Sequence, residues 1–270
     1  MLEDIALQNV LVALAVTTGA GLATGLGGLL VFTTKSPNAR MLAFGLAFAG
    51  GAMVYVSLSE ILNKSIASFT GVYGEAQGFS YGTLAFLSGV MLIVLIDRMI
   101  PNPHERLEAD DPFFREHNRE YIKRVGLLTA LAITAHNFPE GLATFFATLE
   151  DPRVGLPLAF AIAIHNIPEG IAIAVPVYYA TGNKRYAFVA CLLSGLAEPV
   201  GAIIGYALLA PYLSESMFGA LFGVIAGVMV FLALDELLPA AKRYAKGHET
   251  VYGLVTGMGA LAISLMLFKW

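Results

Sequence analysis

Long uncharged stretches alternate with short polar breaks along the chain. Residues 5–34, 41–59, 76–96, 216–234 and 250–268 carry no charged side chain. About 20 mostly apolar residues cross the ~30 Å hydrocarbon layer of a bilayer, so each run is close to span length. Adding the weaker apolar segments predicts eight transmembrane helices at roughly 5–33, 38–62, 79–100, 123–148, 155–179, 185–210, 215–239 and 250–269. The breaks hold turn and cap residues: Ser36-Pro37-Asn38, Thr70-Gly71 with Tyr73-Gly74, Asp151-Pro152, Thr181-Gly182-Asn183 and Lys246-Gly247. The apolar/polar alternation of a membrane β-barrel is absent. The expected fold is an all-α membrane protein, one transmembrane domain over 1–270.

Composition agrees. Of 270 residues, 57% are hydrophobic and 13% charged, against ~25% charged in soluble domains. One long polar connection, at about 101–122, holds six acidic residues' worth of loop chemistry: Glu105, Glu108, Asp110, Asp111, Glu116 and Glu120, with His104 and His117 among them. It reads as a cytoplasmic loop. With the N-terminus outside, only Lys64, Arg153 and Lys269 of the 16 basic residues lie on the outer side, as the positive-inside rule requires. Both termini are then outside. The acidic start, Met-Leu-Glu-Asp, reads as a retained helix and not as a cleaved leader. A net charge of −4 and the lack of a basic patch speak against nucleic-acid binding. Cys191 is the single cysteine, which rules out an intramolecular disulfide or a thiolate metal cluster.

Self-comparison brings out duplicated segments. Gly51-Ala-Met-Val-Tyr-Val-Ser-Leu-Ser-Glu-Ile-Leu62 aligns without gaps on Gly227-Val-Met-Val-Phe-Leu-Ala-Leu-Asp-Glu-Leu-Leu238, and Tyr81-Gly82 matches Tyr252-Gly253. The strongest match is His136-Asn-Phe-Pro-Glu-Gly141 in the fourth span against His165-Asn-Ile-Pro-Glu-Gly170 in the fifth. Each pair runs in opposite directions, which predicts an inverted-topology repeat: helices 1–3 against 6–8, and helix 4 against 5. Transporters so built bind substrate near the midplane.

In both hexapeptides a histidine and a glutamate four residues apart share one helix face. Imidazole and carboxylate suit Zn²⁺, Fe²⁺ or Mn²⁺. Facing antiparallel helices would let His136, Glu140, His165 and Glu169 converge as four ligands. Asn137 and Asn166 either offer carbonyl oxygens to a neighbouring ion or cap backbone carbonyls. Those carbonyls, of Ala135 and Ile164, are freed because Pro139 and Pro168 carry no N–H. Glu198 of the sixth span is a third mid-membrane carboxylate, a further ligand or a protonated packing group. No Lys or Arg is near these acids in sequence, and a bare charge at that depth costs at least ~2.5 kcal/mol. Divalent cations, protons or both must balance them. Glu60, Asp235 and Glu236 are expected at helix ends, snorkelling to the interface.

The paired hexapeptides resemble the helix-4 and helix-5 motifs of the ZIP metal transporters, and the likeness extends through Ser194-Gly-Leu-Ala-Glu198 and Asp235-Glu-Leu237 to nearly the whole chain. The resemblance implies eight helices that take up Zn²⁺, and often Fe²⁺, Mn²⁺, Co²⁺ or Cd²⁺, across the cell inner membrane into the cytoplasm. It implies a two-metal site: His136, Glu140, His165 and Glu169 around one ion; Asn137, Asn166, Glu169 and Glu198 around the other; Glu140 and Glu169 bridging. Homodimers occur in the family. The metal is then transported substrate, not a resident cofactor, and the chain is no enzyme. An intramembrane metal-dependent hydrolase is the alternative, but the chain lacks the His-Glu-x-x-His of the zinc proteases. A metal-sensing receptor would bind without flux.

Overall fold

This computed structural model describes residues 7–33, 39–99 and 118–268, and every described element is helical. The first rod is α1 (Leu7–Thr33). The second joins α2 (Ala39–Val56), a π-helical turn at Ser57–Ile61 and α3 (Leu62–Tyr73). Then come α4 (Glu75–Met99), α5 (Asn118–Glu150) and α6 (Pro152–Thr181). The sixth rod is α7 (Lys184–Gly195) followed by α8 (Ala197–Leu209). The seventh joins α9 (Glu215–Leu232), a second π-helical turn at Ala233–Leu237 and α10 (Leu238–Tyr244); α11 (Glu249–Phe268) ends the bundle.

The rod ends are set by the polar breaks. Asp151 accepts the N–H of Arg153 at 2.9 Å and Pro152 opens α6, a position where its missing N–H costs nothing. Gly182, at φ +65°, closes α6 in a conformation that glycine adopts without penalty. Asn183 then accepts the N–H groups of Arg185 (3.0 Å) and Tyr186 (3.2 Å) to start α7, and Ser214 caps α9 through Met217 at 3.2 Å.

Several expectations change. The second rod does not stop near residue 62: Thr70 and Gly71 stay helical, and the chain turns at Gly74 (φ +85°). Residues 118–122, read above as loop, open α5, while 101–117, with His104 and His117, lie outside the described residues. Glu60, Asp235 and Glu236 are not at helix ends but within the two π-helical turns, half-buried. Seven of the eight rods are long and apolar enough to cross a bilayer. The other is α5, a helix of 33 residues. Arg119, Glu120, Lys123 and Arg124 at its start, with His136, Asn137, Pro139 and Glu140 in its middle, dilute its apolar content.

Two groups of helices pack among themselves. One holds α1, α5, α6, α7 and α8; the other holds α2, α3, α4, α9, α10 and α11. They meet where α2 lies on α6 and where α9 lies on α5, the latter through Phe146 against Phe218, ring centroids 6.1 Å apart. An ion pair also crosses the boundary: Lys64 to Glu150 at 2.7 Å. Asn183→Ala removes two accepted N–H bonds at the start of α7 and is expected to cost about 1 kcal/mol, with Asn183→Gly recovering most of it; the apparent melting temperature in detergent measures both.

Candidate metal centre

The two hexapeptides fall on α5 and α6, which pack along each other. His136, Asn137, Glu140, His165, Asn166 and Glu169 are buried, none more than 1% exposed, and Glu198 in the first turn of α8 is 0% exposed. No lysine or arginine is buried among the described residues. Both prolines are accommodated inside continuous helix. The two motif glycines are contact points. A Cβ on Gly141 would overlap the backbone of Glu198, and one on Gly170 would overlap the carbonyl of Thr24 and approach Gly27. Absence of a side chain thus lets α8 and α1 lie against the motifs, the close packing that small residues permit between membrane helices.

Glu140, His165 and Glu169 form the tightest donor group: one ligand atom from each lies within 4.8 Å of the other two. His165 donates from Nδ1 to the Ala161 carbonyl at 3.2 Å, and its Nε2 lies 3.1 Å from Glu140 Oε1. That contact is attractive with a proton on Nε2 or with a cation held between the two atoms. Metal–ligand bonds of about 2.0–2.1 Å in a tetrahedron put neighbouring ligand atoms about 3.3 Å apart, so the observed spacing fits two ligands of one ion. The Nδ1 bond to a backbone carbonyl is the usual way a ligating histidine is held.

The asparagines spend their amide nitrogens on fixed acceptors. Asn166 gives its amide N–H groups to the Ala20 carbonyl of α1 at 3.0 Å and to Glu198 Oε1 at 2.5 Å. Asn137 gives its own to Ser194, at 3.0 Å to the carbonyl and 3.3 Å to the hydroxyl. Six buried oxygens then have no hydrogen-bond partner: Asn137 Oδ1, Glu140 Oε2, Asn166 Oδ1, both oxygens of Glu169, and Glu198 Oε2. Buried acceptors left unpaired cost roughly 1–3 kcal/mol each. A cluster that offers oxygens and an imidazole lone pair, with few donors, is built for cations.

A family model described as ZIP Zinc transporter matches residues 114–265, the stretch that contains every residue of this cluster. The chain belongs to the ZIP family. Its relatives include proteins described as zinc transporter ZupT from Stenotrophomonas maltophilia (strain K279a), 77% identical over 97% of this chain and 98% of the relative. A Neisseria meningitidis serogroup B relative of the same description is 63% identical over the full length of both. One from Oceanobacillus iheyensis is 49% identical over 97% and 99%.

In this ZIP chain the structure brings Glu140, His165 and Glu169 together, and joins Glu198 to Asn166. His136 is buried on the same helix but lies outside the 4.8 Å group. Sequence reading missed Ser194 as a partner of Asn137; its position four residues before Glu198, on the same helical face, was the available signal. It also missed the Ala20 carbonyl, a backbone group with no residue-type signature. Because Gly141 sets the distance to Glu198, Gly141→Ala is expected to lower Zn²⁺ affinity about tenfold or more, the scale of outer-shell defects at metal sites, with helix content unchanged. Calorimetric titration beside circular dichroism in detergent reads both quantities.

Proposed function

We propose that this chain carries Zn²⁺, and with it ions of similar ligand preference such as Fe²⁺, Mn²⁺, Co²⁺ and Cd²⁺, across the cell inner membrane into the cytoplasm. The observation that carries the reading is the buried set of three carboxylates, two imidazoles and two amides, with six unpaired oxygens and no buried lysine or arginine among the described residues. The ZIP family and the zinc-transporter relatives support the same ion class. His136, Glu140, His165 and Glu169 are the proposed ligands of one ion; Asn137, Asn166, Glu169 and Glu198 of its neighbour, with Glu140 and Glu169 between. A hydrated ion enters from outside and exchanges water for these donors. It leaves inward as the bundle rocks. The donors all belong to one helix group, so movement against the other group changes access without dismantling the site.

Both termini are assigned to the outside by the distribution of basic residues, and contacts between rod ends agree with the grouping of ends onto two sides that this assignment uses. Lys64 pairs with Glu150 and lines one cavity with Arg153, which brings the outer-side basic residues together. Arg40 reaches Glu249 at 3.3 Å, and Lys184 donates to the Phe32 carbonyl at 3.2 Å, so ends assigned to the cytoplasm also meet one another.

An inverted repeat as the basis of the fold has support from packing. The π-helical turns Ser57–Ile61 and Ala233–Leu237 occupy matching places in the aligned segments. Gly51 lies against the Leu254 carbonyl as Gly227 lies against that of Phe86, and Gly257 against Phe48 as Gly89 against Val224. These contacts relate α4 to α11 three residues away from the register of the Tyr81-Gly82 match. The whole chain acts as one transmembrane domain. Lipid covers the exposed side chains of α4, Leu84, Leu87, Met91 and Leu95, the kind of face on which a second copy would form the homodimer that the family resemblance implies. Transport, not hydrolysis, fits a family of transporters.

Reconstitution tests this. Zn²⁺ influx into proteoliposomes is expected with the unmodified chain. Glu140→Ala or Glu169→Ala should lower it by more than tenfold, since even outer-shell partners are worth about 10–100-fold in affinity. Undiminished flux in either variant refutes the site. Glu198→Ala should change the order of competition among Zn²⁺, Mn²⁺ and Cd²⁺ more than it lowers the rate. Ligands must shed protons to bind metal, so Zn²⁺ binding should acidify a weakly buffered sample and weaken as pH falls. Binding heats that do not depend on the ionisation enthalpy of the buffer would contradict that linkage.

A further inference from the structure

Ser194, in the last turn of α7, has no assigned role, yet three polar contacts converge on it. Asn137 donates to its carbonyl at 3.0 Å and to its hydroxyl oxygen at 3.3 Å, and Thr134, one turn before Asn137 on α5, donates to the same hydroxyl at 2.9 Å. Ser194 is 2% exposed, so water does not compete for these bonds.

The rod is interrupted just here: α7 ends at Gly195, Leu196 is a turn residue and α8 starts at Ala197. At this break the Leu196 N–H points to the carbonyls of Leu192 and Ser194, and the Ser194 carbonyl also accepts the side-chain N–H of Asn137 on α5. A backbone carbonyl only accepts, so the amide nitrogen of Asn137 must face it and Oδ1 is turned away from Ser194. That oxygen is one of the six buried acceptors without a partner. Asn166 is held differently, between the Ala20 carbonyl and Glu198, and so shares its amide with a candidate ligand. Asn137 depends on Ser194 alone among the described contacts.

We infer that Ser194 is a positioning residue that locks the Asn137 amide with Oδ1 towards the ions, and thereby sets which divalent ion the Asn137 position prefers. The inference rests on the proposed transport site. Without the hydroxyl, the amide keeps one of its two acceptors on Ser194 and Thr134 loses its own. The Asn137 plane then rocks, and a neutral oxygen that had been fixed for one ion radius no longer is. Selectivity suffers before transport does, because the described hydrogen bonds of Glu140, His165 and Glu169 do not involve Ser194.

Proteoliposomes containing the full chain, with Zn²⁺ flux measured against increasing Cd²⁺ or Mn²⁺, test it. Ser194→Ala is expected to retain flux but shift the Zn²⁺-to-Cd²⁺ competition ratio about threefold to tenfold, the weight of one buried neutral hydrogen bond. Ser194→Thr, which keeps the hydroxyl, should restore the ratio. In an Asn137→Ala background Ser194→Ala should add nothing, because the effect passes through the amide. A Ser194→Ala variant whose ratio is unchanged, or whose effect adds fully to that of Asn137→Ala, overturns the inference. Melting in detergent separates a merely structural role, which would lower stability and leave the ratio alone. Glu140→Ala in the same assay keeps the two readings apart: flux that survives it sinks the transport site, whereas its loss beside an unmoved Ser194→Ala ratio sinks only the positioning role.

Discussion

Three carboxylates without a buried basic partner are the constraint around which the rest of this bundle is arranged. Glu140, Glu169 and Glu198 are wholly inaccessible, in a region where leaving even one charge unmatched is expensive. Ordinary proteins answer with a lysine or arginine. Here the neighbouring polar groups are imidazoles, amides and hydroxyls, of which the Asn166 amide donates to Glu198, and no buried lysine or arginine stands among the described residues. Such a site is stable only when positive charge comes from outside the chain, as protons or as metal. The need for an exogenous cation is therefore built into the folded state, which is also what lets the ion be released.

The helices meet this constraint by close approach. Gly141 and Gly170 sit one residue after their glutamates and receive the backbones of α8 and α1. The same residues that omit side chains thus determine where Glu198 stands and which carbonyl holds Asn166. The amide nitrogens are consumed by Ser194, Ala20 and Glu198, and both amide oxygens are left without a hydrogen-bond partner. Which end of each amide is spent, more than residue identity, decides that the cluster offers acceptors.

Much of this was legible in the sequence, for physical reasons that also mark where reading fails. Apolar runs of bilayer length announce helices, and polar residues in the middle of such runs are so costly that His136, Glu140, His165 and Glu169 stand out. Long-range backbone geometry leaves no such mark. Ser57-Leu-Ser-Glu-Ile61 reads as helix, and nothing in its residue types distinguishes a π-helical turn from an α-helical one; Glu60 was consequently placed at a helix end. The end expected near residue 62 comes later because Thr70 and Gly71 are tolerated inside a packed helix, whereas Gly74, also among the break residues read from the sequence, has the positive φ that ends one. Ser194 was visible as a residue but not as a partner of Asn137, since the break at Leu196 depends on packing against α5. The carbonyl of Ala20 is common to any residue type and could not be singled out.

The two hexapeptides differ at one position, Phe138 against Ile167, yet their surroundings make them unequal. His165 joins the three-residue donor group and His136 does not. Asn166 touches a carboxylate, whereas Asn137 is held by a serine. The cause is what packs on each motif from outside: α8 lies on α5, while α1 and α7 lie chiefly on α6. A likeness in sequence thus ends in unlike surroundings in the folded chain: the two histidines and the two asparagines of the duplicated motif are held by different partners.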